Sequence, residues 1–377
     1  MNHRLPALDW LRGIVMVLMA GDHASEAFNA LRPTGDGAMM PGFDQPLDPL
    51  QFFFRWTSHL CAPVFLLLAG TSLALSVERR LRRGASAWSI DRDLLLRALV
   101  LFAVEAFFIN WFWAPGVLIL QVLFAIGASM LLMIVLRRLP AALLWVFVAA
   151  CWIGGEWTMT GAIYSPNDPV SVLRSALFNG AYFVVELFNQ TGVMLAYPIL
   201  PWCGTMVLGW LFGRYLSREE SGARSSLPRT LILVGLVLLA CFALLRGANG
   251  FGNLRLYRLD ASLVQWLHVS KYPPSLSFSC LELGIAAIVL AGLLRVAQKG
   301  PIRDKAPLLV FGQVPFFFYV AHIFLLEIAA RGLGMYQTAG LREACIACLA
   351  ALLVLYPLCL GYRACKRRDR TGLLRYF

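Results

Sequence analysis

The chain has 377 residues, of which 59% are hydrophobic and only 14% are charged. Soluble domains carry about 25% charged residues, so this composition excludes a disordered chain, a coiled coil and an ordinary cytosolic enzyme. Apolar stretches of about 20 residues recur along the whole length, and a helix of that length crosses the hydrocarbon core of a bilayer. The composition therefore predicts a polytopic membrane protein.

The net charge of +12 raises the question of nucleic-acid binding. The basic residues, however, form short clusters between the apolar runs, as they do in the cytoplasmic loops of membrane proteins. We therefore expect a lipid bilayer, and no nucleic acid, as the partner of this charge.

Hydrophobic runs between helix-breaking residues predict about ten membrane-spanning helices in an all-α bundle that forms a single domain over residues 1–377. A further apolar segment at 170–188 contains polar residues and is predicted to be an interfacial or re-entrant helix. The ten spans are expected near residues 7–28, 57–77, 93–113, 116–136, 140–158, 193–216, 229–246, 274–297, 307–332 and 339–362.

The distribution of Lys and Arg predicts the orientation of these spans. About 23 of these residues fall on one side of the predicted membrane and about nine on the other. The positive-inside rule assigns the richer side to the cytoplasm, which puts both termini there and makes residues 363–377 a basic cytoplasmic tail. No small-residue cleavage site follows the first run, so we expect a retained helix and not a signal peptide.

Ionisable residues form a stripe on the first predicted helix. Arg12 and His23 differ by about 20° around the helix axis, and Asp9 falls within about 60° of both. The stripe is about 16 Å long and joins a charged pair at the cytoplasmic end to a histidine near the outer end. A charge in mid-membrane costs about 2.5–3.5 kcal/mol, so such residues indicate function. The plainer interpretation is a snorkelling Asp9–Arg12 pair and a hydrogen-bonded histidine.

Three histidines fall in the outer part of separate predicted spans, namely His23, His59 and His322. Histidine titrates near neutral pH and serves as a general base or as an acyl acceptor. The chain lacks paired local ligands such as HxxxH or HExxH, so we predict no metal site. A proton relay in a transporter uses the same residue types and remains the alternative.

The outer loops supply candidates for binding a substrate. Lys271 and Tyr272 precede two prolines at the start of a span, where a lysine either holds an anionic or hydroxyl-rich ligand or simply lies at the interface. Trp56 is one of many tryptophans on the outer side. An aromatic belt explains most of them, and a sugar-stacking surface is the alternative.

Several blocks of the sequence resemble the bacterial branch of the transmembrane acyltransferases related to heparan-α-glucosaminide N-acetyltransferase. The resemblance covers about residues 7–322. The blocks that carry it are LDWLRG at 8–13 followed by DH at 22–23, SHLCAPVFLLLAGTS at 58–72, YPILPWCGTMVLGWLFGR at 197–214, KYPPS at 271–275 and VPFFFYVAH at 314–322.

The resemblance implies transfer of an acetyl or other acyl group from cytoplasmic acetyl-CoA to an amino or hydroxyl group of a sugar outside. The animal enzyme uses a histidine in the loop after its first helix, but residues 29–50 contain none here. His23 and His59 are therefore the candidates. We expect His23, oriented by Asp22 or Glu26, to act as base or acyl acceptor, with His59 and His322 as a second base or as groups that polarise the thioester.

The donor and acceptor sites follow from the same interpretation. Arg12, paired with Asp9 and helped by Arg79 and Arg80, is expected to bind the phosphates of acyl-CoA. Glu26, Lys271, Tyr272 and Trp56 are the candidates for contacting the sugar or glycoside. The expected location is a bacterial inner membrane, and a homodimer is one expected assembly. The alternative function is a proton-coupled transporter or flippase.

Overall fold

A computed structural model of the chain describes residues 5–38, 47–110, 117–161, 168–185, 191–218, 226–300 and 302–368. Most of these residues are helical. The helices are α1 (Pro6–Phe28), α2 (Pro49–Trp56), α3 (Cys61–Arg82), α4 (Ala87–Val104), α5 (Val122–Leu136), α6 (Ala141–Gly161), α7 (Pro169–Arg174), α8 (Ile199–Arg218), α9 (Leu227–Ala248), α10 (Leu263–Leu267), α11 (Leu276–Gln298), α12 (Pro307–Gln313), α13 (Pro315–Gly332) and α14 (Leu341–Arg368). The strands are β1 (Val117–Leu120), β2 (Ala181–Val185) and β3 (Thr191–Leu195).

Helices occur at each of the ten positions where the sequence predicts a span. Within the described ranges, six helical segments are long and apolar enough to cross a membrane. Helix α1 is not among the six, although it has 23 residues, because its charged stripe lowers its hydropathy. The predicted all-α character is confirmed for the bulk of the chain, whereas ten crossings and the orientation of the termini remain predictions.

Three short strands are a departure from the predicted helices. Strand β3 lies between the other two, parallel to β1 and antiparallel to β2. The predictions of helix at 117–120 and at 193–195 are therefore wrong, since these apolar residues belong to β1 and β3. In the predicted segment 170–188, α7 continues into a π-helical turn at Ser175–Asn179. The turn ends at Gly180, which has φ of +74°, and β2 follows. A short apolar run has no periodicity that separates a strand from a helix.

Two polar residues of the third predicted span hold this sheet in place. The Asn110 side chain donates to the carbonyl of Ile119 at 3.1 Å and accepts from its N–H at 2.9 Å, so it pairs the free edge of β1. The Glu105 carboxylate accepts from the N–H of Gln121 at 2.9 Å and from the N–H of Phe124, which caps α5. Backbone groups away from water must be paired inside the protein, and these side chains do that.

The ninth predicted span is also not continuous. It consists of α12 and α13, separated at Val314, because Pro315 begins α13 and lacks the N–H that a continuous helix requires. The first residues of the predicted basic tail are helical. Helix α14 runs to Arg368, and Arg363 is buried and donates to the carbonyl of Asp304 at 2.7 Å. Residues 369–377 of the predicted tail lie outside the described residues.

Glycines let α12 approach α1 closely and let α8 approach α3 closely. A Cβ atom on Gly312 of α12 would lie 1.8 Å from the carbonyl oxygen of Asp9, and one on Gly13 would lie 1.9 Å from that of Leu308. Helices α3 and α8 cross in the same way, since a Cβ atom on Gly70 would lie 2.0 Å from the carbonyl oxygen of Met206. Small residues at such crossings are typical of membrane helices.

The α1–α12 crossing gives the first testable prediction. Gly312→Ala should lower the free energy of unfolding by about 1–3 kcal/mol, because the backbone of α1 has to move away from the new methyl group. Gly292→Ala in α11 is the matched control, since no atom lies within 4 Å of its Cβ position. Thermal unfolding in detergent measures both. Equal stability of Gly312→Ala and wild type would contradict the close crossing.

Candidate active site

The charged stripe of α1 lies along two cavities, one near each end of the helix. We call the cavity lined by Arg12 the inner cavity and the one lined by Asp22, His23 and Glu26 the outer cavity, after the orientation that the sequence predicts. The predicted stripe therefore faces space inside the protein.

The inner cavity has a volume of about 360 Å³ and combines cations with apolar walls. Arg12 is fixed in its wall by three bonds, to Asp9 Oδ1 at 2.9 Å, to the carbonyl of Gly312 at 2.9 Å and to Ser72 Oγ at 3.0 Å. The same wall contains two further cations, Arg97 of α4 and Lys366 of α14. Most of the remaining lining is aliphatic or aromatic, including Met16, Leu68, Leu73, Leu101, Leu123, Ile126, Met130 and Phe316.

The outer cavity, of about 240 Å³, is far more polar. Its walls come from the end of α1, the loop after α1, α2, α3, the strands and the loop before α11. Its polar lining consists of Asp22, His23, Glu26, Arg32, Thr34, Arg55, Ser58, Gln121, Tyr197, Lys271, Tyr272 and Tyr319.

Three residues belong to the walls of both cavities, namely Phe65 of α3, Val122 of α5 and Tyr319 of α13. These three side chains therefore lie between the two cavities, and we call them the neck. Together the cavities follow α1 from Arg12 to His23, which are eleven residues or about 16 Å apart along the helix axis. The two cavities thus lie end to end along α1, and the inner one is cationic while the outer one is polar.

His23 and His322 form a hydrogen-bonded pair beside this neck. His23 Nδ1 lies 2.7 Å from His322 Nε2, and His322 Nδ1 lies 2.8 Å from the carbonyl oxygen of Phe318. A carbonyl oxygen only accepts, so His322 Nδ1 carries the hydrogen, and Nε2 of the neutral ring is an acceptor. His23 Nδ1 must then donate. The neutral His23 ring consequently has its lone pair on Nε2, which is its basic position.

Arginines, rather than His23, bind the nearby carboxylates. Arg55 Nη1 donates to both oxygens of Asp22 at 2.6 Å, and Nε and Nη2 of the same guanidinium pair with Asp36. Arg32 lies 3.2 Å from Asp22 and pairs with Glu26. The partner found for His23 Nδ1 is His322, and the orientation of His23 by Asp22 or Glu26 remains a prediction.

Lys271 is held in the outer wall by its backbone. Its N–H donates to the carbonyl of Asp36 at 2.8 Å, so the loop before α11 is joined to the loop after α1. Burial lowers the pKa of Lys271, but the nearby Tyr272, Asp22 and Asp36 outweigh it, and the pKa lies above its ordinary value. The side chain is a buried ammonium, only 4% exposed. Nζ makes no hydrogen bond or ion pair with any residue in the described ranges and lies 5.2 Å from the Tyr272 ring.

His268 strengthens the same join between the outer loops. Its Nε2 donates to the carbonyl of Gly35 at 2.9 Å. Burial lowers the pKa of His268, so the ring remains neutral at physiological pH. A hydrogen bond from the N–H of Ala38 to Ser270 Oγ at 3.1 Å adds to this join. Lys271 and Tyr272 are thus carried by a rigid loop.

Two predicted outer residues lie away from the cavities. His59 is buried, with Nε2 3.7 Å from Asp36 Oδ1 and its ring packed 5.9 Å from that of Phe278. Trp56 is half-buried. Neither described cavity wall includes His59 or Trp56. The depth predicted for His59 places it near the site, but its side chain belongs to neither described wall.

The predicted phosphate contacts Arg79 and Arg80 also lie outside the described inner wall. Arg79 Nε donates to the carbonyl of Leu75 at 2.9 Å, and Arg80 pairs with Asp93 at 2.9 Å. The cations found in the inner wall in place of Arg79 and Arg80 are Arg97 and Lys366. Arg97 interrupts an apolar run, and that pattern could have identified it, whereas nothing near Lys366 in the sequence points to this cavity.

Sequence reasoning missed Tyr319 and the arginine network. Tyr319 precedes His322 by three residues on α13 and so shares its face, a spacing that could have indicated it. Sequence reasoning did not single out Arg32, Arg55 or Asp36. No group of three His, Cys, Asp or Glu side chains within the described residues is arranged to hold a metal ion.

Comparison with known proteins identifies the family. Residues 4–245 match the family model for the heparan-alpha-glucosaminide N-acetyltransferase catalytic region. The match includes Arg12 and His23, while the blocks at 271–275 and 314–322 lie beyond it. No curated protein sequence matches the chain. Because the matched segment is well over half of the chain, and six apolar helices accompany it, this is an integral membrane protein that belongs to the heparan-α-glucosaminide N-acetyltransferase family of transferases.

Proposed function

We propose that the protein moves an acetyl group from cytoplasmic acetyl-CoA to an amino or hydroxyl group of a sugar or glycoside on the other side of the membrane. The observation that carries this proposal is the pair of cavities along α1, which we propose form a passage during the reaction. Its cationic inner cavity and its polar outer cavity share the neck formed by Phe65, Val122 and Tyr319. An enzyme that joins a donor from one side to an acceptor from the other needs such a passage.

The inner cavity suits the donor. CoA carries phosphates at one end and a long, weakly polar pantetheine arm that ends in the thioester. The cations Arg12, Arg97 and Lys366 would bind the phosphates, since guanidinium and ammonium groups make strong charge-assisted bonds with phosphate oxygens. The apolar lining would enclose the arm, and the thioester would reach the neck.

The histidine pair suits the chemistry. In the proposed reaction, His23 Nε2 takes the proton from the acceptor amine or hydroxyl as that group attacks the thioester carbonyl carbon. The carbon–sulfur bond breaks, and the proton passes from His23 to the leaving thiolate. The products are the acetylated acceptor and CoA with a free thiol. His322 supports the base by accepting from Nδ1, which keeps the lone pair on Nε2.

The outer cavity suits a hydroxyl-rich acceptor. Carboxylates, guanidinium groups and phenols surround it, and sugars bind through hydrogen bonds to such groups. The Glu26 side chain is 33% exposed and accessible to a ligand. The buried ammonium of Lys271 offers three donors to sugar oxygens or to an anionic substituent.

The charge distribution supports a cytoplasmic location for the donor end. The basic clusters of the sequence fall on the side of the inner cavity, as the positive-inside rule requires of the cytoplasmic face. On this basis we propose ten crossings, both termini in the cytoplasm and residence in a bacterial inner membrane.

The donor site gives a prediction for binding. Arg97→Gln and Lys366→Gln should each raise the KM for acetyl-CoA about 5- to 30-fold with little change in kcat, since each removes about 1–2 kcal/mol of phosphate binding. Arg83→Gln is the matched control, because Arg83 is exposed and lies outside the described inner wall. Steady-state kinetics with purified protein measure these values. An unchanged KM in both variants would remove CoA from this cavity.

The base gives a second prediction. His23→Ala should lower kcat by at least about 10²-fold, because a positioned base contributes about 10²–10⁴ in rate. Binding of acetyl-CoA should remain within twofold, which also shows that the variant is folded. The measurement is acetyl transfer to glucosamine-type acceptors and release of CoA thiol. Transfer at the wild-type rate would exclude His23 as the base, and cargo-dependent proton flux without CoA release would favour a transporter.

A further inference from the structure

Tyr319 lies in the neck between the two cavities. It belongs to both walls, and it lies one helical turn before His322 on α13. Its ring is 5.8 Å from the His322 ring and 6.5 Å from the His23 ring, in an edge-on orientation in both cases. The phenol is therefore fixed beside the histidine pair.

The hydroxyl of Tyr319 is buried and makes no hydrogen bond within the described part of the chain. The residue as a whole is 4% exposed. An unsatisfied buried hydroxyl costs about 1–3 kcal/mol, so its presence calls for a partner. Other tyrosines do have one. Tyr356, for example, donates to the carbonyl of Lys305 at 2.7 Å.

Position separates Tyr319 from the other unsatisfied groups. The Tyr362 hydroxyl also lacks a partner among the described residues, but neither cavity wall includes Tyr362. Lys271 lines the outer cavity but not the inner one, so it would face the proposed acceptor. Tyr319 combines a missing partner with a place where donor and acceptor would meet.

We propose that the Tyr319 hydroxyl donates a hydrogen bond to the carbonyl oxygen of the acyl thioester and is a catalytic residue of the reaction. This inference rests on the proposed function, since it takes the thioester to reach the neck from the inner cavity. When the acceptor attacks the carbonyl carbon, the π electrons of the C=O bond move to its oxygen. The phenol stabilises that oxyanion until the C=O bond reforms and the carbon–sulfur bond breaks. Tyr319 keeps its proton, and His23 carries the acceptor proton to the thiolate.

The kinetic test is Tyr319→Phe, which keeps the ring that packs against both histidines. We expect kcat to fall about 10²–10³-fold, the usual loss for one oxyanion donor, with the KM for acetyl-CoA within about twofold. Tyr362→Phe removes the other unsatisfied phenol and should keep the wild-type kcat. Equal kcat in Tyr319→Phe and wild type would overturn the proposal.

A spectroscopic test separates a hydrogen bond from a role in packing. Acetyl-CoA labelled with ¹³C at the carbonyl is bound to the slow variant His23→Ala with no acceptor present, and the infrared carbonyl band is recorded. We expect the band at lower wavenumber than in the double variant His23→Ala, Tyr319→Phe, because a hydrogen bond weakens the C=O bond. Identical bands would overturn the proposal even if kcat had fallen.

The two levels of the account fail in different ways. If the wild-type protein neither binds acetyl-CoA nor releases CoA, the proposed function falls and the role of Tyr319 falls with it. If the wild-type protein is active and Tyr319→Phe is equally active, the role of Tyr319 alone is overturned and the proposed function stands.

Discussion

The hydrogen bond between His23 and His322 is the interaction on which the account of the site depends. It joins α1 to α13, and the carbonyl of Phe318 determines its direction, because a carbonyl oxygen cannot donate. One backbone group thus sets the tautomer of two rings in turn and leaves the basic lone pair on His23 Nε2. A water-exposed histidine would exchange between tautomers. Here hydrogen bonds within the protein fix one tautomer. The pair lies beside the neck, where donor and acceptor would come together.

The charged groups around this pair show how the protein tolerates a polar site at this depth. Each carboxylate near His23 is bound to a guanidinium group, with Arg55 joining Asp22 of α1 to Asp36 of the next loop. A buried charge is costly unless it is paired and hydrogen-bonded, and this network meets that requirement for the carboxylates. It also joins α1, α2 and the outer loops into one rigid wall. Lys271 differs from these groups, since its ammonium faces the cavity without an ion pair in the described chain.

Features set by the geometry of a single helix could be predicted from the sequence. Features set by the packing of several helices mostly could not. The rotation between Arg12 and His23 is a property of any α-helix, so their common face followed from their spacing. The direction in which His59 faces depends on how α3 packs, and spacing within α3 does not determine that. Arg97 and Lys366 reach one cavity from helices far apart in the chain. The strands were not predicted because the short runs Val117–Leu120 and Thr191–Leu195 fit a helix as well as a strand. Their pairing depends on contacts between segments that are far apart in the chain.

A sidedness experiment in proteoliposomes tests the central claim most directly. Acetyl-CoA, which does not cross the bilayer, is enclosed with the protein, and an impermeant glucosamine-type acceptor is added outside. Protein molecules with the inner cavity towards the lumen should acetylate the external acceptor and leave CoA inside. Acetylation that requires donor and acceptor on the same side, with none when the bilayer separates them, would contradict a passage through the protein.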